Sequence, residues 1–127
     1  MTARLFTLQD LPDVQAWAHA RQMVVDLWML PEVSIIVESN GQKVAFASLY
    51  FRPLMCAIDH FTVNPEVTPE SALHAFQELE RFACEQAKLQ GARIIQTFVE
   101  QRISSIMQRN GYFISDKPHV LATKVIV

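Results

Sequence analysis

The chain has 127 residues, half of them hydrophobic and 19% charged, with a formal charge of −2 at pH 7. That length supports one domain, residues 1–127, with a core that needs neither metal nor disulfide, and that composition excludes a disordered chain. The weak negative charge argues against an intrinsic nucleic-acid binder, and no apolar run reaches the roughly 18–20 residues that span a bilayer.

"ARLFTL" (3–8) has strand composition, and "QDLPDVQAWAHARQMVVDLWML" (9–30) reads as helix, with a break after Arg21 as the alternative. Asp10 is a candidate N-cap, and Leu11, Val14, Trp17 and Ala18 repeat at three and four residues. Pro31 ends the segment. "SIIVES" (34–39) and "QKVAFASLYF" (42–51) are β-rich runs around Asn40-Gly41, a pair that favours a tight turn with positive φ at both positions. Arg52-Pro53 breaks the second run, and "LMCAIDHFTV" (54–63) supplies a strand apolar on both faces, which suits the middle of a sheet.

The stretch "VNPEVTPESALHAF" (63–76) turns this strand into a helix running from about Pro69 to Gln90. Thr68 is the expected cap, Pro69 needs no N–H in the first turn, and Glu70 favours the positive end of the helix. Ala72, Phe76, Leu79, Ala83 and Ala87 form the expected buried stripe, opposite Glu78, Glu85 and Lys88, and Gly91 is the stop. "ARIIQTFV" (92–99) is a strand, and "QRISSIMQRN" (101–110) a short helix with Ile103, Ile106 and Met107 inward. "YFIS" (112–115) and "HVLATKVIV" (119–127) are strand material. The order β-α-β-β-β-α-β-α-β-β is a mixed α/β domain, an α+β arrangement on one sheet.

Few residues carry obvious chemistry. Cys56 and Cys84 lack metal-ligand spacing and read as reduced thiols of a cytoplasmic protein; the start "MTARLFTLQD" has no signal-peptide pattern. His19, His74 and His119 are isolated, and no zinc pattern is present. Arg93, Arg102, Arg109 and Lys117 are interleaved with Glu100 and Asp116, so they form no basic patch.

The element order, "RLFTLQDLPDV", the Asn-Gly hairpin, "AIDHFTVNP", the long helix, "RIIQTFV" and the helix ending in "NGY" together resemble the GNAT superfamily of acetyl-CoA-dependent N-acetyltransferases, over nearly the whole chain. The resemblance implies acetyl-CoA as acyl donor and a primary amine, on a small molecule or a protein, as acceptor. It also implies a pyrophosphate-binding loop of the form V-x-P-x-x-(R/Q)-x-x-G-x-(G/A). Aligned on Val63 and Pro65, Thr68 takes the Arg/Gln position, Ser71 the first glycine position and Leu73 the second, with Ala72 between them. Glycines let a phosphate approach the backbone N–H groups at a helix start; here they are missing, and Glu66 and Glu70 add negative charge.

Asp59 and His60 occupy the strand positions where the family carries its base. Since neighbouring strand residues face opposite sides, one of the two is expected to line a given cleft. The family's thiolate-protonating tyrosine, four residues before the helix-closing glycine, is replaced by Met107, and Glu100 takes the place of an asparagine. Ser104 and Ser105 are nearby hydroxyls, and Tyr112 is expected to pack with its hydroxyl at the surface. Two function classes follow. One is an N-acetyltransferase using Asp59 or His60 as base; the other is a non-catalytic binding or assembly module, for example within a virus particle or a larger complex.

Overall fold

The structure, a computed structural model, describes residues 1–99 and 104–115. Five strands form one sheet in the order β1 (Thr2–Leu5), β2 (Val33–Ser39), β3 (Gln42–Arg52), β4 (Met55–Val63) and β5 (Ile94–Thr97). The first four are antiparallel neighbours, and β5 lies parallel to β4. Helix α1 (Leu11–Ala20) packs on one face and α2 (Pro69–Leu89) on the other; α3 (Ser104–Arg109) follows β5. The expected mixed α/β order is present through α3. Residues 112–115, expected as a strand, lie outside the sheet, and the strand expected at 119–127 lies outside the described residues.

Turn chemistry sets the register. Asn40 and Gly41 take φ of 52° and 80°, so Ser39 pairs with Gln42 as the tight hairpin requires. Pro53 and Leu54 make the next turn, pairing Arg52 with Met55, with Leu54 at φ 65°. The β3–β4 register shifts by one residue: Ser48 pairs with Asp59, but Phe46 pairs with Thr62. Ala47 therefore faces both His60 and Phe61, a bulge on β4 with His60 at φ 55°.

The face under α2 holds the larger core, in which Ile35, Val37, Leu49, Cys56 and Ile58 meet Ala75, Leu79, Ala83 and Ala87. The buried stripe of α2 centres on Ala75 and Leu79. Ala72 and Phe76, expected in that stripe, are only half-buried; Phe76 packs edge-to-face on Phe61 with ring centroids 5.2 Å apart. Glu78, expected to be exposed, is half-buried and ion-pairs with Arg81. On the opposite face Val14, Trp17 and Ala18 cover Ile36 and Phe46.

The first helix is far shorter than the expected span to residue 30. Gln22 takes φ 58°, its N–H reaches the His19 carbonyl (3.0 Å) and the Met23 N–H reaches Ala18 (2.9 Å), closing α1 at Ala20. Residues 8–10 form a 3₁₀ turn in place of the end of the first strand. Asp10 precedes α1, but its carboxylate bonds back to the Thr7 N–H (2.8 Å) instead of capping that helix. At ten residues α1 is about 15 Å long and packs on Ile36 and Phe46. The part of that face around Tyr50 and Ala57 stays open.

Candidate functional site

The open part of the face is a cleft of about 740 Å³ lined by Glu32, Tyr50, Ala57, Asp59, Gln96 and Phe98, among others. Its floor follows from the register. Ala57 pairs with Tyr50 on one side and Gln96 on the other, and the small Ala57 leaves a depression between them.

At the cleft's edge the bulge overturns the expectation that Asp59 and His60 face opposite ways. The extra residue interrupts the alternation, so the two side chains come together. The Asp59 carboxylate accepts the His60 backbone N–H (2.7 Å), and His60 Nδ1 lies 3.9 Å from Asp59 Oδ1. His60 Nε2 contacts the Tyr50 hydroxyl at 3.0 Å, and that hydroxyl also reaches the Met29 carbonyl at 3.0 Å. The Asp59 side chain is 47% exposed and lines the cleft, while that of His60 is 19% exposed beside it. Thr62 holds the bulge by donating its hydroxyl to the His60 carbonyl (2.8 Å). A non-glycine residue at positive φ is strained, and histidine is among the residues that tolerate it best.

Beyond Ile58 the two parallel strands part. Pairing of β4 with β5 runs only from Met55–Ile94 to Ile58–Thr97, while β4 continues to Val63. Among the described residues, the edge of β4 from Asp59 onward has no strand on its β5 side. An unpaired edge offers N–H and C=O groups to an extended ligand carrying amides.

The loop after β4 is built differently from an anion cradle. Val63 pairs with Ala45 and its side chain is buried in the α2-side core, so only its backbone can contribute. Asn64 closes the turn: its carboxamide oxygen accepts the Glu66 N–H (3.0 Å), its carbonyl accepts the Val67 N–H (3.2 Å), and its Nδ2 donates to the Lys43 carbonyl (3.0 Å). Thr68 caps α2 as expected, its hydroxyl accepting the Ser71 N–H at 3.1 Å. The Ala72 N–H donates to the Thr68 carbonyl (3.0 Å).

Pro65 and Pro69 have no N–H, so within residues 65–72 only Thr68 and Glu70 keep a backbone N–H without an internal acceptor. Leu73 is 37% exposed at the same helix start. Thr68, Ser71, Ala72 and Leu73 are thus brought together, but with most of their donors already used. A diphosphate would meet two free N–H groups flanked by Glu66 and Glu70.

Met107, at the position of the family's tyrosine, is buried, at 3% exposure. The Asn110-Gly111 stop closes α3 as expected, with the Tyr112 N–H on the Met107 carbonyl (3.1 Å) and the Gly111 N–H on Gln108 (3.0 Å). Tyr112 is half-buried; burial and the Glu80 carboxylate hold its phenol above the usual range, contrary to the expected surface hydroxyl. Ser105 is exposed. Glu100 and Ile103 fall outside the described residues, as does His119. No group of histidine, cysteine or acidic residues suited to a metal occurs among the described residues, and none of their helices is long and apolar enough to cross a membrane.

Sequence reasoning missed Tyr50, Asn64 and the bulge. Asn-Pro is a turn-initiating pair, so Asn64 was open to discovery. Counting back from the Pro53 turn sets Tyr50 beside Ala57, but no residue pattern announces the bulge.

No family model matches the chain, and no curated protein matches it in sequence. Solved structures do match its fold. A Trypanosoma brucei acetyltransferase superposes with a TM-score of 0.72 at 13% identity, covering 95% of this chain and 98% of that one. The aminoglycoside 6'-N-acetyltransferase of Acinetobacter haemolyticus gives 0.64 at 17% identity, covering 99% and 100%. A Mycobacterium tuberculosis protein in complex with CoA gives 0.73 at 14%, covering 94% and 76%. A transcriptional regulator from Bacillus halodurans is as similar, at 0.73 and 16%, covering 96% and 99%. The chain therefore has the fold of the GNAT acetyltransferases.

Proposed function

We propose that this protein transfers an acetyl group from acetyl-CoA to a primary amine, with the Asp59–His60 pair as proton acceptor. The observation that carries this reading is the β4 bulge, which gathers two proton-accepting side chains where β4 leaves β5. Acetyl-CoA would supply the acyl group as an activated thioester. The free edge of β4 suits the amide-bearing arm of that donor, and the cleft over Ala57 suits an acceptor amine held beside Asp59. As the amine nitrogen bonds to the acyl carbon, the carbon–sulfur bond breaks. The proton shed by nitrogen passes to the Asp59–His60 pair, in a role worth roughly 10²–10⁴ in rate. Met107 has no proton to give the departing sulfur, so solvent provides it.

The phosphate end fits less well. With two free N–H groups and two glutamates, the loop holds the donor weakly, and the arm carries most of the binding. The acceptor is a small-molecule or protein amine, and the setting is cytoplasmic, with both cysteines reduced. Burial pushes the Cys56 thiol up to about 11, which keeps it protonated and unreactive.

A second reading, a non-catalytic binding or assembly module, is favoured by the self-satisfied loop together with buried Met107. Calorimetric titration with acetyl-CoA separates the two. Saturable binding that weakens when Asp59 and its strand edge are altered supports transfer; no heat at millimolar donor supports the module.

A further inference from the structure

We propose that Tyr50 is a positioning residue: it fixes His60 in the tautomer with the proton on Nε2 and so makes Nδ1 the atom that accepts a proton. The catalytic consequence rests on the acyl-transfer reading, but the tautomer itself does not.

The Tyr50 oxygen stands 3.0 Å from the Met29 carbonyl oxygen and 3.0 Å from His60 Nε2. A carbonyl only accepts, so the Tyr50–Met29 contact is a hydrogen bond only if the phenol proton lies within it. A hydroxyl has one proton. The second contact must then take its proton from the ring, which sets Nε2–H donating to the Tyr50 oxygen. The reverse assignment leaves two oxygens facing each other at hydrogen-bond distance with nothing between them. Burial and the Asp59 charge hold the Tyr50 phenol above its usual range, so the proton is present at neutral pH.

With Nε2 protonated, the lone pair of neutral His60 is on Nδ1. Its neighbour Asp59 is 3.9 Å away, too far for a hydrogen bond, and that carboxylate is already engaged by the His60 backbone N–H. Nδ1 is therefore free to take a proton from an amine. Tyr50 also ties this ring to the turn at Leu27–Met29, beside the exposed Trp28.

The test uses the full chain with ¹⁵N-labelled histidine and long-range ¹H–¹⁵N correlation of the imidazoles, at a pH where His60 is neutral. A His60→Gln sample identifies its signals. Wild type is expected to show a protonated Nε2 and an unprotonated Nδ1, and Tyr50→Phe is expected to lose that preference. In acyl-transfer assays Tyr50→Phe should lower kcat about tenfold with KM for the amine unchanged. A wild-type ring protonated on Nδ1 overturns the proposal, as does an unchanged pattern in Tyr50→Phe. A shifted pattern with unchanged kcat overturns the positioning role. The wild-type spectrum decides the tautomer without the variant, so the test survives a variant that does not fold. If wild type shows the expected tautomer but no transfer, the proton assignment holds and the acyl-transfer reading falls.

Discussion

Replacing Asp10 by asparagine should destabilise the fold by about 3 kcal/mol at pH 7. The Asp10 side chain is 2% exposed and accepts from both Arg4 Nη atoms (2.8 Å each), the Thr7 N–H (2.8 Å) and hydroxyl (3.2 Å), and Lys43 Nζ (3.1 Å). Breaking a buried charge pair costs roughly 3–5 kcal/mol when the partner is stranded. Here Arg4 retains Glu38 (2.8 Å) and Lys43 retains Asp13 (2.9 Å), so the lower bound applies. The Arg4 guanidinium holds the Asp10 carboxyl well below the usual carboxylate range. A depressed folded-state pKa adds stability that is complete above the unfolded value, about 4, and is lost as pH falls below it. The gap between wild type and Asp10→Asn should therefore narrow by roughly 1 kcal/mol between pH 7 and pH 3. Urea unfolding followed by Trp17 fluorescence reads both quantities, since Trp17 is buried in the α1-side core. A gap under about 1 kcal/mol at pH 7, or one that widens in acid, would refute the assigned role of this network.

Three further outcomes are expected. Leu79→Ala should cost about 2–5 kcal/mol in denaturant melts, because Leu79 is fully buried, and half-buried Phe76→Ala should cost less than the ~3–5 typical of a core phenylalanine. Ser71→Gly/Leu73→Gly should melt lower, by up to ~1 kcal/mol per glycine, yet bind acetyl-CoA more tightly in calorimetry, with a gain that shrinks as salt rises. Met107→Ala should lose about 2–5 kcal/mol of stability in urea while its turnover per folded molecule changes little, since the thioether is a packing group.

Much of the framework was legible because local chemistry and tertiary packing agree. Asn40-Gly41 supplies the φ values its hairpin needs, Thr68 and Pro69 start α2, and Gly91 and Gly111 close their helices at φ of 79° and 91°. Two of the failures share a cause, a non-glycine residue in the left-handed region. Gln22 closes α1 in a role that glycine or asparagine usually signals, so composition extends the helix toward residue 30 and marks the break after Arg21 only as an alternative. The bulge at His60 is likewise unmarked, because strand composition continues through "AIDHFTV" and only pairing with β3 shows the extra residue. Asp59 and His60 could be picked as polar residues on an apolar strand, but their convergence could not. The loop's missing glycines are visible in the sequence; that Asn64 and Thr68 consume its N–H groups depends on how the turn folds back on itself.

The central claim is that the β4 bulge supports acyl transfer. The direct measurement is the mass of acceptor amines, small molecules and lysine peptides, after incubation with acetyl-CoA and wild type, His60→Ala or Asp59→Ala. The account predicts a 42-dalton gain (approximately, the mass of one acetyl group replacing one proton) on at least one amine with wild type, and turnover lower by roughly 10²–10⁴ in the His60 variant. Wild-type protein that acetylates no amine, or His60→Ala and Asp59→Ala variants that both acetylate at the wild-type rate, would contradict it.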